Sequence, residues 1–326
     1  MPNKIDISKE KLSKLYEKDK LTTYQIAGKL GCCQATIWKR LIQFGIKRRR
    51  SYELNSNIPT KKELLRYYIK NKLSTWKIEK KYGFCRGTIH KKLREYGIKT
   101  RDRADSHIIY PRKNFSEDLI EKAYLIGFRI GDLGVRKICP NSKTISVASG
   151  STIKEQIDLI RGLFEGYGKI WIQKTKDGKI NIQANLDESF NFLLSKEFPG
   201  WIEKNKEHFF SFLAGFTDAE GNISISNNMA YYGLGNYDQK LLFMIHKNLN
   251  KFGIICKEPR SDNRNGQMNS QGYRYNSNYW GFRVYNKKYL LNLLLELRPY
   301  IKHENKIKAL NIAIANIDNR NKLYNK

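Results

Sequence analysis

The sequence is short of acid. Only 31 Asp and Glu stand against 61 Lys and Arg in 326 residues, a formal net charge of +30. Such a chain repels itself, and an excess of this size calls for a polyanionic partner. It has no long apolar run and no basic amphipathic helix with a clean apolar face, which argues against a membrane as that partner. The opening MPNKIDISKEKL carries no apolar signal core. Cysteine is scarce and scattered: Cys32, Cys33, Cys85, Cys139 and Cys256 form no C-x-x-C pair and lie near no metal-spaced histidine. That excludes the usual zinc spacings and a disulfide framework, and fits reduced thiols inside a cell, in cytoplasm or nucleoid. With 40% hydrophobic and 12% aromatic residues, the chain can build real cores in two or three domains.

The N-terminal third is a duplication. LTTYQIAGKLGCCQATIWKRLIQFGIKRR from Leu21 and LSTWKIEKKYGFCRGTIHKKLREYGIKTR from Leu73 align without a gap. Leu12/Leu64, Tyr16/Tyr68, Ile26/Ile78, Gly31/Gly83, Ile37/Ile89, Leu41/Leu93 and Gly45/Gly97 all match. Each copy reads as three helices. In the first, Ser8 caps a helix with Leu12, Leu15 and Tyr16 on one face; Thr22 or Thr23 caps a second with Ile26 and Leu30 inward; Gly31 ends it with a left-handed turn; a third carries Ile37 and Leu41 inward. A short helix, a Gly turn and a second helix is the helix-turn-helix pattern. The spacing T-x-x-I-A-x-x-L-G-x-x-x-x-T-I resembles that of resolvases and bacterial-type repressors.

The resemblance implies that the third helix of each copy enters the DNA major groove. Its outward residues are Gln34, Ala35, Trp38 and Lys39 in copy one, and Arg86, Gly87, His90 and Lys91 in copy two. Gln and Arg can bond base edges bidentately, and lysines suit phosphates. The copies differ at these outward positions while the inward ones match, as two readers of different sequences would. Basic runs follow each copy, Lys47-Arg48-Arg49-Arg50 and Lys99-Thr100-Arg101, placed for phosphate or minor-groove contact. A small helical bundle for protein contact is the alternative. Residues 102–115 lack periodicity and contain Pro111, as a linker does.

From Ser116 the composition changes, and two helical segments stand out: AYLIGFRIGDLG, 123–134, and FLAGFTDAEGNI, 212–223. Each has small residues four apart, Gly127 with Gly131 and Gly215 with Ala219. Residues at that spacing share a helix face, where small side chains let two backbones approach closely. An acid follows at once in each, Asp132 and Glu220. Helices packed on these faces bring the two carboxylates together at the base of their interface. Like charges so close repel unless they share cations, and an all-oxygen pair suits Mg²⁺. Carboxylates and Mg²⁺ between two phosphates are the equipment of phosphodiester hydrolysis.

Here the sequence resembles the LAGLIDADG homing endonucleases. LAGFTDAEG, 213–221, is close to the family signature, and LIGFRIGDL, 125–133, is looser. The resemblance covers about residues 117 to 315. It implies that Asp132 and Glu220 are the catalytic, metal-binding acids, and that Asp218 is the second motif's inner acid, more structural than catalytic. The first motif departs from the pattern, with Ile130 at the inner-acid position and Leu133 where Gly is usual. The implied fold is α+β: two pseudo-symmetric αββαββα repeats whose antiparallel sheets form a DNA-binding saddle, preceded here by two all-α helix-turn-helix units. The implied chemistry is Mg²⁺-dependent double-strand cleavage of a long site across the minor groove, leaving 3′ overhangs, by a monomer. The family also places lysines near the scissile phosphates. Candidates are Lys204 or Lys206 in PGWIEKNKEHF and Lys302 or Lys306 in RPYIKHENKIKAL, with Lys204 and Lys306 preferred.

The strand pattern fits. Lys169-Ile170-Trp171-Ile172-Gln173 and Ile180-Asn181-Ile182-Gln183-Ala184-Asn185 alternate across an Asp177-Gly178 turn, a strong hairpin signal. One face is apolar; the other carries Lys169, Trp171, Gln173, Asn181, Gln183 and Asn185, donors and acceptors suited to base edges. In the second half, Ser224 in NISIS, and Arg283 and Tyr285 beyond Trp280, point the same way. SDNRNGQMNSQGYRYNSN, from Ser261, reads as a polar loop.

The expected organisation is helix-turn-helix units at 1–50 and 51–104, a linker at 105–116, and LAGLIDADG repeats at 117–205 and 206–326. The expected activity is site-specific cutting of double-stranded DNA. The alternatives are a non-cleaving regulator on the same fold, against which both acids argue, and an intron RNA maturase. The chain ends lack intein junction residues, so a free-standing or intron-encoded protein is expected.

Overall fold

A computed structural model describes residues 7–47, 59–82, 86–101, 108, 110–269 and 272–324. The chain divides into two compact units, Met1–Ser106 and His107–Lys326.

In the first unit each sequence copy folds as three helices around its own core. Ser8 accepts a hydrogen bond from the Lys11 amide and starts α1, residues 9–18, which is α-helical over Lys9–Ser13 and π-type over Lys14–Lys18. Lys20 then turns left-handed at φ 56°, and Lys72 repeats the turn at 49° in the second copy. Side chains other than Gly rarely adopt that conformation, so the shared turn belongs to the duplicated design rather than to one copy. Thr22 and Gln25 form a reciprocal capping box on α2 (Thr23–Leu30), and Gly31 closes that helix at φ 64°. Helix α3 (Gln34–Gln43) follows. The second copy supplies α4 (residues 61–70), α5 (Thr75–Tyr82) and α6 (Arg86–Glu95). Leu12, Tyr16, Ile26, Ile37 and Leu41 bury together in one core, and Leu64, Tyr68, Ile78, Ile89 and Leu93 in the other. Leu15 and Leu30, expected inward, are partly buried at the edge of the first.

Arg101, in the second basic run, is engaged within its own copy. Its guanidinium donates to the carbonyls of Lys72 at 3.0 Å and Leu73 at 2.6 Å, and stacks 4.5 Å from the Tyr68 ring centre. A side chain so engaged pins the end of the second copy to α4 and the turn that follows it.

The second unit contains two halves of like order. The first runs α7 (Leu119–Asp132), β1 (Gly134–Lys137), β2 (Thr144–Ser151), α8 (Lys154–Phe164), β3 (Lys169–Lys174), β4 (Ile180–Asp187) and a 3-10 turn, Glu188–Leu193. The second runs α9 (Lys206–Glu220), β5 (Asn222–Ser226), β6 (Met229–Asn236), α10 (Gln239–Lys251), β7 (Arg260–Asp262), β8 (Tyr279–Val284) and α11 (Lys287–Leu297). A long α12 (Glu304–Tyr324) closes the described chain. Both sheets are antiparallel, with orders β1-β2-β4-β3 and β5-β6-β8-β7. This is the αββαββα scheme written twice, with the last helix of the first copy reduced to the 3-10 turn.

One core runs through both halves, built from α7, α9 and the apolar sheet faces. Sheet alternation places it: on β4, Ile182, Ala184 and Leu186 are buried while Asn181, Gln183 and Asn185 are not. The Asp177-Gly178 turn forms as read, with Gly178 at φ 83°. Two sequence expectations need correction. Residues 110–115 of the supposed linker belong to the second unit: Phe115 is buried, Lys113 N donates to Tyr167 O at 2.9 Å, and Arg112 donates to Thr144 and Leu186 O. The supposed polar loop after Ser261 begins as strand β7 and continues as a hairpin, with a Met268–Arg274 bridge and Tyr275 N donating to Gln267 O. Its alternation is hidden from sequence reading because both of its faces are polar. No helix among the described residues is long and apolar enough to cross a membrane.

Candidate active site

The site begins with the contact of α7 and α9. A Cβ at Gly127 would lie 2.0 Å from Phe212 O, and one at Gly215 would lie 2.1 Å from Tyr124 O. Each glycine thus sits on the backbone of the other helix. A Cβ on Gly131 would meet the Ala219 Cβ at 2.4 Å and the Glu220 Cγ at 3.0 Å. The four small residues read from the sequence therefore form this interface, and Gly131 brings the end of α7 against Glu220. The flanking aromatics repeat the symmetry: Tyr124 stacks along Phe128 and Phe212 along Phe216, each pair at 6.3 Å.

Asp132 and Glu220 close the two helices on the same side. Burial, followed by the charge of Glu220, pushes the Asp132 carboxyl up to about 6, while Lys306 pulls it back. Burial also raises Glu220, opposed by Lys306 and Lys196. Lys306 is half-buried and feels the charges of Asp218, Asp132 and Glu220; desolvation lowers its pKa against their attraction. Its ammonium donates to Gly221 O, and Gln156 on α8 donates to Asp132 Oδ2. The charges of three carboxylates thus act on one ammonium, with Asp218 buried, Asp132 partly exposed and Glu220 exposed, and negative charge is in excess.

That excess is the chemical case for a cation. Both helix-ending donors are carboxylate oxygens, which suit hard divalent ions such as Mg²⁺, Mn²⁺ and Ca²⁺. No group of three or more His, Cys, Asp or Glu side chains converges as a cage among the described residues. A cation here would take one or two side-chain ligands and complete its shell from water and phosphate, as Mg²⁺ usually does.

The inner acid Asp218 is 2% exposed. Its Oδ2 accepts from Tyr124 Oη at 2.5 Å, from Lys302 N at 2.8 Å and from His303 N at 3.1 Å. It therefore ties α7, α9 and the segment leading into α12, the helix that carries Lys306. Burial raises it to about 6 against these bonds. Its counterpart Ile130 is buried and has no such network.

Leu133 in place of glycine is accommodated. Leu133 is extended at φ −101°, and Gly221 is likewise extended at φ −75°, so neither position needs left-handed backbone. A Cβ at Gly221 would strike Thr217 Cγ2 at 2.6 Å. The counterpart of Thr217 is Arg129, an unbranched side chain whose guanidinium donates to Leu133 O and, at 2.8 Å, to Leu193 O.

Lys306 lies in the site; Lys204 is exposed in the 3-10 turn Ile202–Lys204, and Lys196 is the further lysine whose charge acts on Glu220. Of the other candidates, Lys206 pairs with Glu296 at 2.6 Å and Lys302 lies 4.5 Å over the Tyr124 ring. Sequence reading also missed Gln156, Tyr124 and Lys196. Nothing in their local spacing marks them, because only the fold brings α8 and the turn before α9 to the helix ends.

The outer face of the first sheet is one of cross-strand rows: Ser146, Asn185 and Lys169 in register, then Ala148, Gln183 and Trp171, then Gly150, Asn181 and Gln173. Gln183 donates to Ser146 and Asn185, and Tyr110 packs edge-on against Trp171. On the second sheet, Ser224 faces outward beside Tyr231, and Arg283 stacks 5.3 Å over Tyr231 and donates to Tyr285 Oη at 2.8 Å. Gly233, Gly235 and Gly281 floor a depression of about 920 Å³ there, bordered by Glu220, Arg260, Tyr279 and Arg283. In the first unit Gln34, Trp38, Lys39, Arg86, His90 and Lys91 are exposed on the third helices. Arg48 and Arg49 lie outside the described residues.

The second unit is thus two αββαββα halves joined through a glycine-faced helix pair, each helix ending in an acid. No family model matches the sequence, and no curated protein does. Solved structures do. The homing endonuclease I-DmoI in complex with DNA and calcium is 17% identical over 59% of this chain and 97% of its own, with a TM-score of 0.41. I-WcaI bound to its DNA recognition sequence is 18% identical over 59% and 88%, with a TM-score of 0.40. The N-terminal LAGLIDADG domain of DUF199/WhiA is 15% identical over 59% and 87%, with a TM-score of 0.37.

Proposed function

We propose that the protein is a site-specific DNA endonuclease that cuts both strands of a long target with a divalent cation, Mg²⁺ first among candidates. The observation that carries the reading is the meeting of Asp132 and Glu220 at the paired helix ends, with Lys306 between them. Asp132 and Glu220 would hold the cation, which supplies charge against the scissile phosphates and Lewis-acid activation of water. The remaining work falls to the chain. Gln156 fixes Asp132 by donating to one oxygen and leaves the other free. Lys306 stands where charge develops on phosphate oxygens, held by Gly221 O rather than by rearrangement during reaction. The outer sheet faces orient the duplex through Gln173, Asn181, Gln183 and Asn185 on one side and Arg283, Tyr285 and Ser224 on the other. Lys169 and Trp171 add phosphate and sugar contact.

Two halves in one chain give one acid for each strand, so a monomer suffices. The helix-turn-helix copies, 1–50 and 51–104, extend the contacted site through Gln34, Trp38, Lys39, Arg86, His90 and Lys91. Arg48 and Arg49 lie in a basic run suited to the backbone. The net charge of +30 supplies the non-specific attraction.

The test is incubation of a plasmid library bearing randomised inserts with Mg²⁺, Mn²⁺ or Ca²⁺, and with EDTA, followed by sequencing of the ends. Linear products with one shared sequence at their ends, absent in EDTA, support the reading. Site-specific binding without a cut under any divalent ion overturns it.

A further inference from the structure

Position 34 of the first helix-turn-helix copy and position 86 of the second are the same place in the duplication, the first residue of α3 and of α6. Both are exposed, and each is held by a side chain of the preceding helix. Gln34 Nε2 donates to Thr23 Oγ1 at 3.0 Å. Arg86 Nε pairs with Glu79 Oε2 at 3.3 Å. The holding partners differ in kind. The counterpart of Glu79 is Ala27, buried and without a polar group, while the counterpart of Thr23 is Thr75, retained. Copy one therefore carries Thr, Ala, Gln at these three positions and copy two Thr, Glu, Arg.

The two constellations leave different groups free. Gln34, with one amide hydrogen on Thr23, keeps its other amide hydrogen and its carbonyl oxygen. That is one donor beside one acceptor, the complement of adenine N7 and N6. Arg86, with Nε on Glu79, keeps both terminal nitrogens. Those are two donors side by side, the complement of guanine N7 and O6. An orienting carboxylate also restrains a long flexible side chain before binding, so less rotamer freedom is lost on contact.

We propose that these pairs set the base each unit selects: adenine for Gln34 held by Thr23, guanine for Arg86 held by Glu79. The proposal rests on the reading of the first unit as a DNA reader and is independent of cleavage.

The test uses the full chain in EDTA, so that binding alone is measured, and selects bound duplexes from a randomised DNA library. The combined change Glu79→Ala with Arg86→Gln gives copy two the constellation of copy one. It is expected to switch one position of the selected motif from guanine to adenine by roughly tenfold or more, with the other positions unchanged. Glu79→Ala alone is expected to weaken the guanine preference severalfold while affinity for unrelated duplex holds or rises, because an acid has been removed. Gln34→Arg, which leaves copy two intact, is expected to convert a separate adenine position to guanine, with a preference severalfold weaker than that of copy two because Ala27 supplies no carboxylate, and it serves if the double variant does not fold. A motif that these changes leave unmoved, or that weakens at every position together, overturns the pairing while leaving DNA binding standing. A chain that selects no motif overturns the DNA-reading assignment and this proposal with it.

Discussion

Tyr124 Oη donates to Asp218 Oδ2 at 2.5 Å across the helix pair, and the same oxygen receives the backbone amides that lead into the helix of Lys306. One buried carboxylate thus joins both motif helices to the segment that places the site's lysine. The bond favours ionised Asp218, whose pKa burial has raised to about 6. Tyr124→Phe is therefore expected to destabilise the protein by about 1–3 kcal/mol at pH 7.5 and by less at pH 5, where Asp218 is protonated. Thermal denaturation at the two pH values checks this. Equal losses at both would mean that the hydroxyl does no electrostatic work on Asp218.

The glycine contacts make a separate expectation. Gly127→Ala or Gly215→Ala drives a methyl into a carbonyl oxygen of the facing helix. The helices must separate, at a cost of about 3 kcal/mol or more. A fall in Tm of roughly 6–12 °C is expected for a unit of this size. Gly162→Ala, at an exposed position of α8 where an added Cβ meets nothing within 4 Å, is the control and should leave Tm unchanged or slightly raised.

Much of this was legible in the sequence, for physical reasons. Helix faces and strand alternation follow from periods of 3.6 and 2, so Ile26, Ile37, Gly127, Gly215, Ile182 and Gln183 could be placed from spacing alone. Both acids could be placed because each follows its small-residue face directly. What spacing does not encode is which distant elements come to the helix ends. Gln156 on α8, Tyr124 facing Asp218 and Lys196 before α9 are invisible to spacing for that reason, and only the fold distinguishes one lysine from another. Residues 110–115 read as linker because their bonds reach strands and turns more than thirty residues away.

Three carboxylates held above their ordinary values give the stability a definite pH sign. In the window from about 4 to about 6, folded Asp132 and Asp218 bind more protons than the unfolded chain does. Their contribution to stability therefore falls as pH rises through that window, and its loss is complete above it. Asp132→Asn or Glu220→Gln relieves the repulsion and is expected to raise Tm at pH 7.5 in EDTA. Mg²⁺ is expected to raise the Tm of the unaltered protein and to raise that of the combined Asp132→Asn, Glu220→Gln variant much less. Identical responses to Mg²⁺ would argue against the two acids as its ligands.

Lys306 lowers both Asp132 and Glu220. Without it their pKa values move further up, so Lys306→Met is expected to shift the acid limb of the cleavage pH profile to higher pH. The rate at the plateau should fall by roughly 10²–10³-fold, as for loss of one preorganised charge donor. Lys204→Met is expected to leave the profile in place. A profile unmoved by Lys306→Met would remove that lysine from the site's electrostatics.

The most direct measurement is cleavage of the selected target by the unaltered protein, Asp132→Asn and Glu220→Gln, with Mg²⁺, beside binding of the same duplex in EDTA. Loss of double-strand cutting in both variants, with affinity kept within a fewfold of the unaltered protein, is the expected result. Full cutting by either variant would contradict the assignment of one essential acid to each motif helix.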